Sequence, residues 1–482
     1  MGGPEQNGEE NARKDKRAFF LELTGPEVAE IERWRILRLH KTPFTTKSFI
    51  RVDAEGNFLP LSEIAENTAK YLESEHWKPR EWSHSPQILR SLRKTALYDK
   101  RTPLWPVPNA LDLSNTRIAI HTLKVNEGPI TELEFRVALS KLKNRKAQAW
   151  DGTQSELLKN LPEELLPELL NFFNQWWEQK RFPEELTKGT VFSLFKKGDP
   201  YKFQNYRPIS LMSVTYKLFA QIIRVRLQEA AEHLLSPTQY GFRPNRSTIQ
   251  PIHIVRRLQE SADYIGEGLH LLFLDWEKAF DSIPHEKIIE TLALFGIPIS
   301  FLNLIASLYT NALFRVQVGP QTSTWHNQRC GIRQGCPLSP YLFTIIMDVL
   351  FKETYDNLPG DYKKKTPRGF PYSDILYADD TLLMGRSAKH LATLLHTLQK
   401  TAIEYGMHLN KSKTVHIPIN VQDVITFFTG EPMAKELDTM YLGTKFAAFP
   451  DPHLELTYRL QSSLLTWRRL FCFGNIPRYP RD

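Results

Sequence analysis

The stretch Leu-His-Leu-Leu-Phe-Leu-Asp-Trp-Glu-Lys-Ala-Phe-Asp, residues 269–281, decides how this chain folds. Its first six residues, Leu269 to Leu274, form an almost continuous apolar run. Such a run is typical of a strand in a sheet whose two faces are both packed against other parts of the protein. The run ends at Asp275, and a carboxylate at that edge is conspicuous. We therefore treat Asp275 as a candidate functional residue.

A second stretch supplies two more carboxylates. Residues 374–385 read Asp-Ile-Leu-Tyr-Ala-Asp-Asp-Thr-Leu-Leu-Met-Gly. This pattern predicts two strands, Asp374 to Ala378 and Leu382 to Gly385, which flank Asp379 and Asp380 in a tight hairpin. If these strands neighbour the first stretch in one sheet, the three carboxylates can meet. The alternative is that the paired aspartates serve only the turn, since Asp is a common turn residue.

Helices and further strands are predicted on both sides of these stretches. They interleave without a βαβ fingerprint, so the expected class is α+β. Thr131 with Glu134, and Ser247 with Gln250, have the spacing of capping boxes that open helices. The other predicted helices are Pro60–Leu72, Pro162–Gln179, Val214–Leu234, one from Pro284 closed by Gly296, one capped by Ser300, one from Pro340 through Phe351, and Lys389–Tyr405 closed by Gly406, and the other strands are Thr190–Phe195 and Phe314–Val318.

The composition is that of a basic globular protein. Hydrophobic residues make up 41% and charged residues 24% of the 482 residues, close to globular averages, which argues against wholesale disorder. The chain has 62 Lys and Arg against 54 Asp and Glu, a formal net charge of +8, and this excess favours a polyanionic partner. The three cysteines are too few for a disulfide framework and lack zinc-knuckle spacing, so a reduced setting is expected.

The sequence predicts neither secretion nor membrane attachment. Met1 to Arg17 is polar and charged, without the apolar stretch of a signal peptide. The longest apolar runs, such as Tyr341 to Phe351, are well short of the ~20 residues that span a bilayer. The expected location is therefore intracellular, either nuclear or cytoplasmic.

Taken together, the motifs resemble those of reverse transcriptases, in the non-LTR, LINE-type retrotransposon branch. Residues 273–281 and 377–380 are similar to two central motifs of that family, and other motifs follow in the family's order over about residues 130 to 446. An ordered set of this many motifs is highly specific. The other motifs are Lys196-Lys197-Gly198-Asp199, Tyr206-Arg207-Pro208-Ile209-Ser210-Leu211, Gln239-Tyr240-Gly241-Phe242-Arg243, Arg333-Gln334-Gly335-Cys336-Pro337-Leu338-Ser339-Pro340, Gly406 to Lys413 and Tyr441-Leu442-Gly443.

The resemblance implies a two-metal site for nucleotidyl transfer. Asp275 and Asp379 are expected to be the principal metal ligands, Asp380 the third carboxylate, and the main-chain carbonyl of Trp276 an extra ligand. In such sites one ion activates the attacking 3′ hydroxyl and the other holds the triphosphate. Because the ligands are all oxygen atoms, two Mg²⁺ ions are expected, with Mn²⁺ as a substitute.

The resemblance also implies a nucleotide pocket. Phe280 is similar to the family's steric gate, in which an aromatic ring beneath the sugar leaves no room for a 2′ hydroxyl. The alternative is that Phe280 is a plain core residue. Gln334 and Gly335 resemble the segment that lines the nucleotide and template pocket, where glycine permits close backbone approach. The alternative for this pair is a structural turn before Pro337.

Several basic residues are implied to contact phosphate and nucleic acid. Arg207 and Lys197 are similar to positions that grip the incoming triphosphate, although Lys197 also fits a solvated turn. Lys413 resembles the lysine proposed to protonate the leaving pyrophosphate, and it equally fits an ordinary surface charge. Basic and aromatic residues between Gly241 and Arg246 suit a template strand, and Tyr441-Leu442-Gly443 resembles a primer-gripping turn.

The architecture implied by the resemblance is a right-hand polymerase fold of class α+β, with fingers, an antiparallel palm sheet and a truncated thumb. The implied partners are an RNA template, a DNA primer and deoxynucleoside triphosphates, and the sequence leaves the oligomeric state open. The expected division of the chain is a partly disordered N-terminal linker region over residues 1–129, a helical fingers extension over 130–180, fingers and palm over 181–446, and an incomplete thumb over 447–482.

The chain departs from the family pattern at four places. Gln148-Ala149-Trp150-Asp151-Gly152 replaces the usual Pro-Gly-Pro-Asp-Gly, which affects the geometry expected for the fingers extension. Gln250-Pro251 stands where relatives often carry an acidic residue. Residues 1–129 are expected to hold no nuclease core, so target cleavage is not predicted. The thumb departs from the pattern from Trp467 onward.

Three functions compete at this point. The leading expectation is an RNA-directed DNA polymerase that extends a primer with deoxynucleotides on an RNA template. The second is a catalytically impaired, nucleic-acid-binding or maturase-like remnant, which the intact Asp275, Asp379 and Asp380 disfavour. The third is an RNA-dependent RNA polymerase, which is disfavoured by Ala378 before the paired aspartates and by Phe280 at the sugar gate.

Overall fold

Helices and strands alternate along the chain in the computed structural model, which describes residues 51–53, 56–79, 98–99, 118–119, 122–362, 365–449 and 452–471. The helices are α1 (Leu61–Tyr71, continued by a π-helical turn over Leu72–His76), α2 (Glu132–Ser140), α3 (Ser155–Lys159), α4 (Leu166–Glu178), α5 (Val214–Ala231), α6 (Ile249–Ile265), α7 (Ala279–Ser282), α8 (His285–Phe295), α9 (Ile299–Tyr309), α10 (Ser339–Asp356), α11 (Ala388–Ile403) and α12 (Pro452–Phe471). The strands are β1 (Tyr98–Asp99), β2 (Ile118–Ala119), β3 (Gly189–Phe195), β4 (Tyr206–Met212), β5 (Leu269–Leu274), β6 (Leu313–Val318), β7 (Gln321–Thr322), β8 (His326–Asn327), β9 (Asp374–Tyr377), β10 (Asp380–Gly385), β11 (Val415–Ile419), β12 (Ala434–Lys435), β13 (Asp438–Tyr441) and β14 (Thr444–Ala447).

The described chain divides into two compact units. The smaller comprises residues up to Ile64 together with Phe195–Tyr206, and the larger comprises the remainder. Within the smaller unit the Arg51 guanidinium lies 3.6 Å from the centroid of the Tyr206 ring and donates to the carbonyl of Pro200. Residues 1–50 of the predicted linker region and residues 472–482 of the predicted thumb lie outside the described residues.

A five-stranded sheet of order β12-β11-β5-β10-β9 forms the centre of the larger unit. Its central strand, β5, pairs antiparallel with β10 and with β11, and Thr381 lies opposite Leu274. All six residues of β5 are buried, as the apolar run predicted. The predicted strand Leu269–Leu274 is confirmed with its bounds.

The two faces of this sheet pack into two separate hydrophobic clusters. Leu272 and Leu274 point into a cluster with helices α8 to α11. The alternate residues Leu271 and Phe273 point into a second cluster with α6 and the β13–β14 hairpin. This alternation is the two-residue period of a strand. Because both faces are covered, β5 is held in register by apolar contacts on each side.

A second sheet has the order β4-β3-β6-β7, with β8 also paired to β6. β3 and β6 run parallel, with Gly189 opposite Phe314. The fold therefore mixes helices with largely antiparallel sheets, and the expected combination of α and β structure is confirmed. Among the residues that the structure describes, no helix is both long enough and apolar enough to cross a bilayer.

Most helix ends lie where the sequence predicts them. The capping box at Thr131 and Glu134 is formed in full. Gly296 and Gly406 have φ values of +97° and +70°, the left-handed conformation that ends a helix. Helix α10 runs past the predicted Phe351 to Asp356, and Glu353 in this extension is buried and accepts a hydrogen bond from the Tyr405 hydroxyl.

Two predicted caps are wrong. Ser300 lies inside α9, which begins after Pro298, and its hydroxyl donates to Glu127 instead. Proline fixes φ near −65°, so the chain enters the helix earlier than the serine would require. At α6 the N-cap is Thr248 and its side chain makes no cap bond, so only one half of the predicted box is present, in which Gln250 accepts from the Ser247 N–H.

Candidate active site

Two neighbouring strands bring three carboxylates to one end of the central sheet. Asp275 follows β5 directly, and Asp380 is the first residue of β10. Because Thr381 pairs with Leu274, the antiparallel register places Asp380 beside Asp275. Asp379, the residue before Asp380, lies in the turn. Asp275 and the two later aspartates, more than a hundred positions apart in the chain, therefore lie together.

The hairpin turn lies one residue earlier than predicted. Asp380 pairs with Tyr377, so the two turn residues are Ala378 and Asp379, and Asp380 belongs to the strand. Ala378 has a φ of +57°, the left-handed conformation that two-residue hairpins require and that a non-glycine residue seldom adopts.

Gly241 supports this turn from outside the sheet. The Tyr240 N–H donates to the carbonyl of Leu376 over 2.7 Å, so the segment before Gly241 runs along the edge strand β9. A Cβ atom at Gly241 would lie 2.2 Å from Ala378 N and 2.9 Å from the Tyr377 carbonyl carbon. Real Cβ atoms do not approach backbone so closely. Only glycine therefore allows the two segments to touch.

Burial and neighbouring carboxylates perturb the titration of Asp380. Burial, together with the negative charges of Asp379 and Asp275, raises the pKa of Asp380 to about 6. Lys413 Nζ lies 3.3 Å from Asp275 Oδ2. Main-chain contacts fix Asp275 as well, because its N–H donates to the Thr414 hydroxyl and its carbonyl accepts from the Asn410 N–H.

The donor set at this edge consists of oxygen atoms and fits a hard cation such as Mg²⁺ in its chemistry. Trp276 is buried beside it, and its ring N–H donates to the Thr381 hydroxyl over 3.0 Å, which ties the ends of β5 and β10 together. With the side chains as they stand, no group of three or more His, Cys, Asp or Glu within the described residues is arranged to hold a metal ion. Lys413 contacts Asp275 in this arrangement.

Phe280, five residues after Asp275 in the chain, lies in a group of aromatic rings. It is half-buried in α7, and its ring stacks on Phe343 with centroids 4.1 Å apart. Phe242, which is 44% exposed, meets it edge to face at 6.2 Å. Helix α10 therefore supports one side of the ring and holds it in place.

Gln334 and Gly335 approach strand β4 closely. The Gln334 carbonyl accepts from the Ser210 N–H over 2.8 Å. Gly335 has a φ of +127°, and a Cβ there would lie 2.1 Å from the Ser210 carbonyl oxygen. The Gln334 side chain donates to Asp281 Oδ2 over 2.6 Å. Backbone contact of this kind requires a glycine at position 335.

The predicted phosphate-binding residues are solvent-exposed. Arg207 is exposed on β4 in the larger unit, and Lys197 is exposed in the turn after β3 in the smaller unit. Among the described residues, neither side chain has a hydrogen bond or an ion pair, so both are available to a ligand.

Arg243, by contrast, is structural. Its side chain is 5% exposed and pairs with Glu232. The guanidinium also donates to the carbonyls of Ser236 and Gln239. The expectation that this basic residue contacts a template strand is therefore corrected, because its donors already bind the loop that precedes it.

Two residues of the site carried no role in the sequence analysis. Gly241 and Asp281 both fall inside quoted motifs, at positions whose importance comes from contacts with distant segments. Asp281 is buried and accepts from Gln334 and from Trp77 Nε1. The only sequence signal for Asp281 was an acidic residue immediately after Phe280.

Comparison with known proteins places these motifs in a family. The family model described as "Reverse transcriptase (RNA-dependent DNA polymerase)" matches residues 195–446. The transposon TX1 uncharacterized 149 kDa protein of Xenopus laevis is 27% identical over 288 residues, which are 60% of this chain and 22% of that protein. The RNA-directed DNA polymerase from mobile element jockey of Drosophila funebris is 25% identical over 404 residues, covering 80% of this chain and 39% of that protein.

A third relative, the probable RNA-directed DNA polymerase from transposon X-element of Drosophila melanogaster, is 30% identical over 224 residues. That match covers 45% of this chain and 24% of the relative. The chain thus spans between about a fifth and two fifths of the length of the relatives it matches.

Proposed function

The chain belongs to the reverse transcriptase (RNA-dependent DNA polymerase) family, whose model covers more than half of it, and from that premise we propose that it is the RNA-directed DNA polymerase of a non-LTR retroelement. It extends a primer with deoxynucleoside triphosphates on an RNA template by two-metal nucleotidyl transfer. The observation that carries the proposal is the placement of Asp275, Asp379 and Asp380 at one end of a buried sheet.

Asp275, Asp379, Asp380 and the carbonyl of Trp276 would hold two Mg²⁺ ions, with Mn²⁺ as a substitute. When bound, divalent ions supply Lewis-acid activation of the primer 3′ hydroxyl and neutralise charge on the triphosphate. The chain's own task is to keep the carboxylates together. The bond from Trp276 to Thr381 and the main-chain bonds at Asp275 support this role, because they fix the strand ends.

Phe280 acts as the steric gate of the sugar pocket. Its stacking on Phe343 resists displacement of the ring, since movement in that direction would meet α10. A 2′ hydroxyl would have to occupy the volume of the ring, so deoxynucleotides are favoured. Gln334 and Gly335 line the same pocket at its contact with Ser210.

Arg207 and Lys197 bind the triphosphate of the incoming nucleotide. Their exposed and unpaired side chains support this role, and a guanidinium can bind phosphate oxygens in bidentate fashion. Lys413 donates a proton to the departing pyrophosphate. Its position 3.3 Å from Asp275, one of the proposed metal ligands, supports this role.

The nucleic acid lies along the basic parts of the chain. The net charge of +8 supports binding of a polyanion. The β13–β14 hairpin turns at Leu442 and Gly443, both with positive φ, and it packs on Phe273 of β5 through Tyr441. This close link to the strand that carries Asp275 supports a role in gripping the primer.

The proposed division of the chain into domains is that of a polymerase. Residues 130–180 form a helical fingers extension, residues 181–446 the fingers and the antiparallel palm sheet, and residues 447–482 part of a thumb. The protein works inside the cell, where RNA template, DNA primer and deoxynucleotides are present.

Primer extension tests the proposal directly. The purified chain is given an oligo(dT) primer on poly(rA) with Mg²⁺ and either dTTP or UTP. We expect incorporation of dTTP, little of UTP, and loss of activity in Asp379→Ala/Asp380→Ala. The matched control is Asp263→Ala/Asp361→Ala, which removes two exposed aspartates elsewhere and should leave extension intact.

Two outcomes would contradict the proposal. Failure of the unmodified chain to extend the primer with either Mg²⁺ or Mn²⁺, while still binding primer–template, would favour a nucleic-acid-binding remnant. Equal incorporation of UTP and dTTP would favour an RNA polymerase instead.

A further inference from the structure

Within the larger unit, residues 65–79 contact β8 through a cluster of polar groups. His326 Nδ1 lies 2.7 Å from Glu73 Oε2, and its Nε2 lies 3.1 Å from Glu66 Oε1. The main-chain N–H groups of Thr324 and Asn327 donate to the same two glutamates over 2.9 and 3.0 Å. Helix α1 and its π-helical turn are therefore fixed on the rim of the second sheet.

The end of this segment reaches a buried aspartate next to the sugar gate. Trp77 is 1% exposed, packs edge to face on Phe314 at 4.7 Å, and donates from Nε1 to Asp281 Oδ1 over 3.0 Å. His76 Nε2 lies 3.2 Å from Asp281 Oδ2 without the alignment of a hydrogen bond. Oδ2 also accepts from Gln334 Nε2.

The chemistry of this arrangement fixes the orientation of an amide. An ionised carboxylate accepts hydrogen bonds and donates none, whereas a glutamine amide has a donor end and an acceptor end. Asp281 therefore requires Gln334 to present its NH₂ group to the carboxylate, and the acceptor oxygen Oε1 is turned away. Trp77 holds the other oxygen of Asp281, so the carboxylate cannot rotate freely.

Gln334 lies between the two sides of the proposed nucleotide pocket. Its carbonyl accepts from Ser210 of β4, and Asp281 immediately follows Phe280. The Ile332 N–H donates to the Phe280 carbonyl over 2.6 Å, which ties the two segments together. A change in the direction of the Gln334 amide would therefore change a polar group beside the gate.

We infer that Trp77 and Asp281 are positioning residues for polymerisation, and that together they orient Gln334 so that its acceptor oxygen faces the incoming nucleotide and its template base. This inference rests on the proposed function and adds the segment around Trp77 to the polymerase site. Neither Trp77 nor Asp281 touches substrate. They act through Gln334, and the contact is carried by a segment far from the catalytic motifs in sequence.

A charge-swap cycle tests this inference. Asp281→Asn allows the Gln334 amide to reverse, because the new amide can itself donate, and we expect KM for dTTP to rise about tenfold with a smaller change in kcat. Gln334→Glu places two carboxylates together and should have a similar effect. The double variant Asp281→Asn/Gln334→Glu restores a donor facing an acceptor and again leaves an oxygen towards the pocket. Its KM should return to within about threefold of the original.

A second variant removes one hydrogen bond and keeps the ring. Trp77→Phe should raise KM for dTTP several-fold and increase misincorporation, while the affinity for primer–template is unchanged. The control is Trp176→Phe, since Trp176 packs among aromatic rings in α4, away from Asp281. Thermal unfolding of every variant identifies any that fail to fold. If the variants at Asp281 or Gln334 do not fold, Trp77→Phe alone tests the inference.

The outcomes separate this inference from the proposed function. Two results with an active unmodified chain would overturn the positioning role only. In the first, the rise in KM for dTTP in the double variant equals the product of the rises in the two single variants. In the second, Trp77→Phe behaves like Trp176→Phe. An unmodified chain without polymerase activity would overturn both.

Discussion

Gly241 provides the most direct test of how the carboxylates are held. Substitution Gly241→Ala adds one methyl group that would lie 2.2 Å from Ala378 N and 3.0 Å from Ala378 Cα. An ordinary contact of this kind begins at 3.4 Å, so the two segments must separate by roughly 1 Å. Ala378 belongs to the turn that carries Asp379, so the separation moves a carboxylate.

The expected effect on turnover is much larger than the effect on stability. A misplacement of ~1 Å at a reacting centre costs on the order of 10²-fold in rate. Overpacking of one methyl group costs about 1–3 kcal/mol of folding free energy, which most domains tolerate. We therefore expect a folded protein whose kcat in primer extension falls about a hundredfold.

The assay compares kcat and the free energy of unfolding in denaturant for Gly241→Ala and for Gly360→Ala. Gly360 is a suitable control because a Cβ there meets nothing within 4 Å. Gly360→Ala should match the unmodified protein in both measurements. If Gly241→Ala also kept full activity and stability, the close approach of the two segments would be refuted, and with it the argument that the turn is braced from outside.

Three further predictions concern the gate, the lysine and a buried ion pair. Phe280→Val should lower the preference for dTTP over UTP by at least about tenfold, since one aromatic ring is replaced by a smaller side chain, and an unchanged ratio of the two kcat/KM values would show that Phe280 is a core residue. Lys413→Ala should lower kcat by roughly 10²-fold if its ammonium acts as a general acid, whereas Lys411→Ala, which loses contacts with Glu431, Thr429 and Phe427, should not; equal effects would remove the assignment. The hydrogen bond from Arg226 lowers the pKa of Glu134 to about 2 from 4.5, so the ion pair stabilises the fold above pH 4.5, and that stability is lost as the pH falls from 4.5 towards 2. Because the Arg226 side chain is 1% exposed, Glu134→Gln should cost roughly 3 kcal/mol in urea unfolding at pH 7 and little at pH 2, and a cost independent of pH would contradict the ion-pair account.

The elements that the sequence predicted well are those with a local physical cause. The strand Leu269–Leu274 is an apolar run of the right length, and the Thr131 capping box needs only residues within one helical turn. The wrong cap at Ser300 shows the limit of such reasoning. A proline two residues earlier and a distant acceptor, Glu127, decide where that helix begins and what the serine binds.

The candidate site follows the same division. The family motifs identified Asp275, Asp379 and Asp380, and the sheet register accounts for their proximity. The contacts of Gly241 with Ala378 and of Asp281 with Trp77 could not be predicted from spacing. They join segments more than a hundred positions apart, and no pattern in the sequence links the two partners of either contact.

The electrostatics of the sheet end explain why a buried sheet carries the carboxylates. The pKa of Asp380 is raised by burial and by its two like-charged neighbours, so Asp379 and Asp275 both repel the Asp380 carboxylate. On flexible loops they would separate and relieve that repulsion. β5 and β10 are covered by hydrophobic clusters on both faces. Separation of these strands would expose core residues, at a free-energy cost of ~25 cal/mol per Å² of apolar surface. The repulsion therefore persists and is relieved by positive charge, by the Lys413 ammonium as the protein stands and by divalent cations in the proposed reaction. Rigidity that costs stability in the free protein would thus favour cation binding in the proposed reaction.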